Sequence, residues 1–296
     1  MALTTTTNIT NLQEKVIGPA RMTLKEDQLV IKQSFDIIRG RPGMDDTYNS
    51  PKLPGVTAFG LTEGVDMSAE TLVDSNTPVS ATEVGVAVEL TNKMLRTVNR
   101  DEFLRNAGKV MGSAINVKQE QDFATLIDGF GTVVGVDGAT AILGHLSAGQ
   151  TQLRANTEPI NPAMFPGISA ITTPAGWHSL VKQLYPTGSG DSHAPMTAPP
   201  SSVAERTLAR YGPAGVYFGT PIKISTNLVT SSNDVRSGVF HRKAGLIYEF
   251  MPVDMDTDEH KLGRSITLMM VMDYGYTEIE DGFGREWDHD NTSPTS

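Results

Sequence analysis

The chain has 296 residues, 39% of them apolar and 20% charged, so it is long enough for one large or two ordinary globular domains. It contains no cysteine, which excludes disulfides, thiolate metal sites and cysteine nucleophiles. Apolar runs such as Leu268–Met272 are far shorter than the roughly 20 residues that cross a bilayer, so no membrane role is expected. The formal net charge of −10 argues against a dedicated, high-affinity DNA-binding protein. No basic and apolar leader follows Met1, so no secretory signal is expected, and the lack of cysteine predicts folding in a reducing cytoplasm.

The first 82 residues comprise an arm and a long stretch, residues 40–82, that has no core-sized apolar face. In residues 1–42 the apolar positions do not settle on one period, so we expect an N-terminal arm that is either helical or extended. Residues 43–82 hold several prolines and acids with only short alternating pieces. So long a stretch is typical of a binding element or a linker. The alternation favours a projecting hairpin.

A strand and a long helix follow. Alternation from Val84 to Leu90 predicts a half-buried strand. A helix of roughly 29 residues is then predicted from about Arg100 to Asp128, and Gly108 and Gly112 would let another backbone approach it closely. Its expected apolar face consists of residues spaced by four and three and continues to the end of the helix, namely Phe103, Ala107, Val110, Ala114, Val117, Leu126 and Ile127.

The remaining chain alternates short helices and strands, which indicates an α+β protein. The predicted elements are a helix near 139–155, a strand over Ile168–Thr172, a helix opened by Thr173-Pro174, an exposed loop at 186–200 and two short strands within 216–225. Val239–Met251 and Ser265–Thr277 are long strand candidates, joined by an acidic loop over 252–263.

That acidic loop begins like a calcium-binding loop, with Asp254, Asp256 and Asp258 at every second position. The sixth position should be glycine but is Glu259, and the twelfth should be a bidentate glutamate but is Ser265. We therefore expect an acidic, solvated turn and no metal site.

Catalytic and cofactor motifs are also missing from the sequence. The six histidines are scattered, and no phosphate-binding loop, nucleophile elbow or paired-histidine zinc motif occurs. The sequence predicts no catalytic residue, no cofactor and no enzymatic activity. The rival interpretation is an α+β enzyme that uses residues 40–82 as an active-site lid and His178 or His241 as the acid–base group.

The order of elements resembles the HK97-type fold of the major capsid proteins of tailed double-stranded DNA bacteriophages. The similar stretches cover about residues 25–285 and rest on loose patterns without an invariant motif. They are Leu61-Thr62-Glu63-Gly64, residues 82–91, residues 121–130, Gly219-Thr220-Pro221-Ile222, residues 238–246 and Asp273-Tyr274-Gly275-Tyr276.

The resemblance implies a division of the chain into parts. These are an N-terminal arm (1–42), an extended loop (43–82), a peripheral domain with a strand and a spine helix (83–130), an axial domain (131–237), peripheral strands with the acidic loop 252–263 (238–275) and a return to the axial domain (276–296). It also implies inter-subunit contacts, for which the candidates are Val56, Phe59, Leu61, Glu63, Asp254, Asp256 and Asp258.

The function implied by the resemblance is that of a major capsid protein. The chain would assemble as hexamers and pentamers into an icosahedral head around a phage genome, in the host cytoplasm, and end in the virion. Expected partners are scaffolding and portal proteins, a decoration protein as a further candidate, and packaged DNA through weak, non-specific contacts. Besides the enzyme, the alternative is an encapsulin-like compartment shell.

Overall fold

Two β-sheets share one long helix in the computed structural model. The structure describes residues 15–20, 29–41, 45–52, 60, 63–64, 66, 71, 75–91, 93–94, 100–155, 167–184, 216–217 and 219–293. The helices are α1 (Arg100–Asp128), α2 (Leu143–Arg154) and α3 (Pro174–Leu184), with a helical segment at residues 15–20 and 3₁₀ turns at Lys32–Ser34, Arg242–Ala244 and Asp281–Phe283. No helix within these ranges combines the length and the hydropathy needed to span a membrane.

The strands vary from two to sixteen residues. They are β1 (Asp36–Arg39), β2 (Thr47–Lys52), β3 (Ser75–Ser80), β4 (Thr82–Thr91), β5 (Val133–Gly135), β6 (Ile168–Thr172), β7 (Val216–Tyr217), β8 (Thr220–Ile224), β9 (Thr230–Ser231), β10 (Asp234–His241), β11 (Gly245–His260), β12 (Ser265–Glu278) and β13 (Gly284–Asp290). The predicted helix at 100–128, the strand at 168–172, the helix at Pro174 and the short strands within 216–225 are confirmed. The expected loop at 186–200 lies outside the described residues.

The first sheet has four strands in the order β1-β11-β12-β4. Strand β1 runs parallel to β11, and the other pairs are antiparallel. One face packs on α1 through apolar side chains at alternate strand positions, among them Leu90, Leu268 and Met270. This sheet and α1 therefore form a two-layer unit.

The second sheet has seven strands in the order β5-β13-β10-β6-β8-β7, with β9 paired to the start of β10. Helices α2 and α3 cover it, and the cluster between them includes Trp177, Leu180, Val239 and Trp287. Phe35 stacks on Phe240 with ring centroids 4.6 Å apart, in the cluster that also includes residues of α1 and the first sheet. The two sheets thus share part of one core.

The buried face of α1 agrees with the sequence prediction at its ends, where Phe103 packs on the core and Leu126 and Ile127 are buried, but differs from it in the middle. The residues that pack inward include Leu104, Met111 and Ile115, each almost fully buried. In contrast, Val110 is 66% exposed and Val117 is 42% exposed. The two apolar rows are offset by one residue, or about 100° around the helix, so spacing alone could not decide which row meets the sheet.

The glycines of α1 accept the N-terminal helical segment, as the sequence predicted. A Cβ atom on Gly108 would lie 2.3 Å from the carbonyl oxygen of Val16, and one on Gly112 would lie 2.8 Å from that of Ala20. Val16 and Ala20 are fully buried in the core that surrounds α1. Only glycine leaves room for so close a backbone contact.

A buried carboxylate fixes the next part of the arm. Glu120 of α1 accepts hydrogen bonds from the backbone N–H groups of Ile31 (3.0 Å) and Lys32 (3.4 Å). The Ser225 hydroxyl also lies near its second oxygen, at 3.5 Å. Burial raises the pKa of Glu120, although these donors oppose the shift by favouring the carboxylate.

The strand expected over Val239–Met251 is wrong, because two strands of different sheets meet there. Strand β10 ends at His241, the chain turns through Arg242–Ala244, and β11 begins at Gly245. The ring of His241 accepts the N–H of Lys243 and caps the turn. The apolar residues on both sides of this turn hide it from a pattern search.

The acidic loop expected over 252–263 is also wrong, since β11 continues to His260 and only four residues form the turn. Its carboxylates alternate with the buried side chains of Val253 and Met255, so the segment is a strand with one exposed face. Register shifts between Glu249 and Asp254 mark an irregularity where Pro252 cannot donate to the ladder.

Candidate interaction surfaces

The projecting hairpin has an anchored base. Strands β2 and β3 pair from Thr47 opposite Ser80 to Lys52 opposite Ser75, which confirms antiparallel pairing at this point. The base packs on strand β11 through Tyr48, whose ring centroid lies 5.7 Å from that of Tyr248. Lys52 also forms an ion pair with Glu280. Residues 53–74 are therefore connected to a hairpin base that packs against the rest of the chain.

The contact residues predicted in this loop are only partly described. Val56, Phe59 and Leu61 lie outside the described residues. Glu63 lies in a turn and is exposed, and Asp66 is exposed as well. Their role as inter-subunit contacts stays a prediction.

The outer face of the four-stranded sheet carries carboxylates on β11 beside apolar side chains on β12. Asp254, Asp256 and Asp258 all point outward from β11. Asp254 lies opposite Val271 and Asp256 opposite Met269 in the ladder, so these two carboxylates border apolar side chains, whereas Asp258 lies opposite Thr267. The described part of the chain holds no group of three or more His, Asp or Glu side chains arranged for a metal ion.

The turn between β11 and β12 presents one apolar side chain between two cations. Leu262 is 96% exposed, and its neighbours Lys261 and Arg264 are exposed as well. The N–H of Gly263 donates to Nδ1 of His260 at 3.0 Å, which holds the turn in shape. A single exposed leucine is common on protein surfaces, so the turn is a candidate contact only together with its neighbours.

The exposed side of α1 carries the apolar row whose spacing predicts a core position. We call Val110, Ala114 and Val117, with the flanking cations Arg105 and Lys109, the helix stripe; all five are exposed. The sequence does contain a signal for this exposure. Arg105 and Lys109 lie in the same helical turns as this row, and charged side chains are far commoner on a protein surface than in a core.

Buried polar groups of the second sheet form a network without access to solvent. Nε2 of His289 lies 2.8 Å from Oγ of Ser237 and 3.0 Å from Oγ1 of Thr172. Ser237 and His289 are both 0% exposed, and burial lowers the pKa of His289. The pair has the spacing of a nucleophile and a base, but no substrate can reach it.

Of the two histidines in the enzyme interpretation, His241 is buried and His178 is partly exposed. His241 is buried, its Nδ1 accepts a backbone N–H, and burial lowers its pKa. His178 lies on α3 and is partly exposed. Burial therefore keeps His241 from acting as an accessible acid–base group.

Four carboxylates surround Arg236 where α1 ends on the second sheet. The guanidinium contacts Asp288 directly and lies 3.1 Å from Asp137, 3.3 Å from Glu286 and 3.7 Å from Asp128. One cation cannot balance four anions. Burial, together with the hydrogen bond to Asp288, raises the pKa of Glu286, so this side chain holds a proton above the usual range.

Comparison with known proteins identifies the fold. The chain matches no family model and no curated protein sequence. It is similar to a capsid chain of cyanophage Pam1 (TM-score 0.64, 12% identity, covering 86% of this chain and 87% of that one). A capsid chain of Ralstonia phage GP4 gives a TM-score of 0.63 at 14% identity, covering 89% and 92%. A chain of Mycobacterium phage Che8 gives 0.62 at 15% identity, covering 88% and 91%. The predicted α+β, HK97-like fold is confirmed.

Proposed function

We propose that this chain is a major capsid protein that self-assembles, as hexamers and pentamers, into the icosahedral head around a phage genome. The observation that carries the proposal is the likeness, over nearly nine-tenths of the chain, to capsid chains of several phages. The exposed Leu262 at the turn between β11 and β12 and the exposed helix stripe support it, because a shell subunit must present surfaces that only its neighbours cover. The proposed role is structural and not enzymatic.

The two sheets support a division into the domains that the resemblance implied. The four-stranded sheet with α1 is the proposed peripheral domain, and the seven-stranded sheet with α2 and α3 is the proposed axial domain. Because β10 pairs within the second sheet, the boundary placed at residue 238 moves to the turn at Arg242–Ala244. The N-terminal arm and the extended loop keep their proposed limits of 1–42 and 43–82.

Two sets of side chains are the proposed inter-subunit contacts. One set lies in the extended loop and comprises Val56, Phe59, Leu61 and Glu63. The other is the outward row on β11, Asp254, Asp256 and Asp258, which lies on the same hairpin as the exposed Leu262. Scaffolding, portal and decoration proteins are proposed partners, with DNA held by weak contacts in a virion assembled in the host cytoplasm.

The test is assembly of the full chain, expressed alone and together with a scaffolding protein from its genetic neighbourhood. Sedimentation velocity and negative-stain electron microscopy should detect capsomers or closed shells. A chain that stays a monomer at micromolar concentration in every condition, scaffolding included, would contradict the proposal. A small, uniform oligomer would instead favour the enzyme.

A further inference from the structure

Strand β4 ends the four-stranded sheet with a long, regular edge. All ten of its residues, Thr82–Thr91, pair with β12 without a register shift. No backbone hydrogen bond joins the other side of β4 to a residue that the structure describes. Every second residue of such a strand directs its N–H and C=O groups away from the sheet, so this side presents a row of donors and acceptors to another strand.

The opposite edge of the same sheet is protected from strand pairing. Strand β1 covers β11 only as far as Glu249, and the rest of β11 has an irregular register, Pro252 and the row of Asp254, Asp256 and Asp258. Proline, bulges and charged side chains are the features that keep edge strands from pairing with other chains. Strand β4 has no proline, lysine, arginine or bulge. The contrast between the two edges indicates that β4 is open to a partner strand.

The core beneath β4 is also open at this edge. On β12 the inward side chains of Leu268 and Met270 are fully buried. On β4 the inward side chains of Val84, Val86 and Val88 pack on the same core but are only partly buried. A further strand beside β4 would continue the sheet and remove more of these valines from water.

We propose that the partner strand is β4 of a second copy of this chain, paired antiparallel about Ala87, an inference that rests on the proposed function. On the inner face this pairing places Val84 opposite Leu90 and Val86 opposite Val88, so apolar side chains meet apolar ones. The edge strands β1, β5 and β7 match β4 poorly, because they have only four, three and two residues.

The glutamates of β4 select the register of this pair. Inward residues must lie opposite inward residues, so the centre of a symmetric antiparallel pair falls on a residue. Only centres on Val86 and Ala87 pair all but one of the ten residues. A centre on Val86 would put Glu83 directly opposite Glu89 of the second copy, which is destabilising. A centre on Ala87 puts both glutamates opposite uncharged residues.

The symmetry of the pair determines where it fits in a shell. Two identical strands that pair antiparallel are related by a twofold axis, so the contact is isologous. The contacts around a hexamer or pentamer are heterologous instead. The β4 pair therefore joins subunits of two neighbouring capsomers, and their four-stranded sheets become one continuous sheet.

The absence of cysteine makes the pairing testable by disulfide formation. Ala87→Cys gives each chain one thiol at an exposed position, and the proposed pair holds two such thiols directly opposite each other. Their Cβ atoms would lie about 4.5–5.5 Å apart, close to the separation in a disulfide. Mild oxidation of assembled shells should give at least about fivefold more covalent dimer than control variants give, measured on a non-reducing gel.

The matched controls are Glu83→Cys and Thr91→Cys, on the same exposed face of β4. In shells of either variant alone the two thiols of a pair lie roughly 26 Å apart, so the chains should stay monomeric on the gel. Shells assembled from a mixture of the two variants should form dimers, because position 83 lies opposite position 91. The mixture also tests the register without any change at Ala87.

The outcomes separate the inference from the proposed function. If Ala87→Cys shells and mixed shells both form no more dimer than the single controls, the inference is overturned and the proposed function stands. Dimers from Glu83→Cys alone would also contradict the register. A wild type that never forms shells contradicts the proposed function. Oxidation of the concentrated, unassembled chains then decides the inference, because dimers specific to Ala87→Cys support it and their absence overturns it.

Discussion

At the residue scale, Gly108 marks the closest backbone contact between the arm and α1. Alanine in place of glycine inside an exposed helix normally stabilises it by ~0.5–1 kcal/mol. Here a Cβ would meet the Val16 carbonyl oxygen at 2.3 Å, so the helical segment at 15–20 has to move away. We expect Gly108→Ala to lower the free energy of unfolding of the subunit by about 1–3 kcal/mol, measured by urea denaturation.

Gly18 provides the control for this change, because it lies in the same helical segment and a Cβ added there would have no atom within 4 Å. Gly18→Ala should leave the free energy of unfolding unchanged or raise it by ~0.5–1 kcal/mol. Equal losses in the two variants would show that the close contact does not hold the arm.

The carboxylates around Arg236 give the subunit a pH-dependent stability. A glutamate in the unfolded chain titrates near about 4.3, whereas burial raises the pKa of Glu286 in the folded subunit. Above the unfolded value the folded state therefore binds a proton that the unfolded state has lost. Stability from this group is present at low pH and falls as pH rises toward the folded pKa.

Glu286→Gln should remove that dependence, since the amide stays neutral at every pH. We expect the melting temperature of the variant, relative to the wild type, to rise between about pH 5 and about pH 8. Asp288 is hydrogen-bonded to Glu286, so its own titration changes with the substitution and the difference reports the carboxyl pair. Glu83→Gln, at an exposed position of β4, should show a constant difference. If Glu286→Gln also showed a constant difference, Glu286 would not hold a proton in the folded subunit over this pH range.

At the element scale, we expect the hairpin base to contribute to the stability of the subunit and residues 53–74 to contribute to assembly. Replacing residues 53–74 by a short Gly/Ser turn should leave the melting temperature nearly unchanged and prevent shell assembly. The loop's apolar side chains contribute ~1.5–3 kcal/mol each only when a neighbour buries them. Circular dichroism melting and sedimentation velocity measure the two effects separately.

A larger replacement, of residues 47–76, serves as the comparison. It removes β2, and with it the packing of Tyr48 on Tyr248 and the ion pair of Lys52 with Glu280. Val79, almost fully buried beside Tyr248, would lose its neighbours too. We expect this variant to melt earlier than the 53–74 variant. Normal shells from the shorter replacement would show that the loop has no part in assembly.

Elements with one strong local period can be predicted from the sequence. Strand β4 and helix α1 follow from it because alternation and a long run of helix-forming residues are local properties. The choice of buried face is not local. Leu104, Met111 and Ile115 are buried because the sheet lies on that side, and no spacing within α1 states where the sheet is.

The candidate surfaces are predictable to a smaller extent. The sequence reveals Asp254, Asp256 and Asp258 as an exposed acidic group because of their charge. Three closely spaced acids are also typical of a solvated loop, however, and in the structure this segment is a strand. The alternating Val253 and Met255 are the signal for that strand. The exposed Leu262 cannot be found at all, since a lone leucine in a sequence gives no sign of its exposure.

At the scale of the whole molecule, the charge predicts how the unassembled subunit treats DNA. The chain carries 34 acidic and 24 basic residues, and the free cations of the helix stripe are few. We expect binding that is independent of sequence, micromolar or weaker at ~150 mM salt, and weaker still as salt is raised. Fluorescence anisotropy with two unrelated duplexes measures this. Nanomolar binding to one of them alone would contradict the expectation.

The position of β13 has a consequence for biosynthesis. Residues 284–290 are the last strand along the chain, yet they lie between β5 and β10, and Trp287 fills the core there. A ribosome releases β5 and β10 long before β13, so the seven-stranded sheet stays divided until translation has passed Asp290. Nascent chains are thereby kept from completing this domain, and chains cut short before this strand do not acquire the finished subunit's shape.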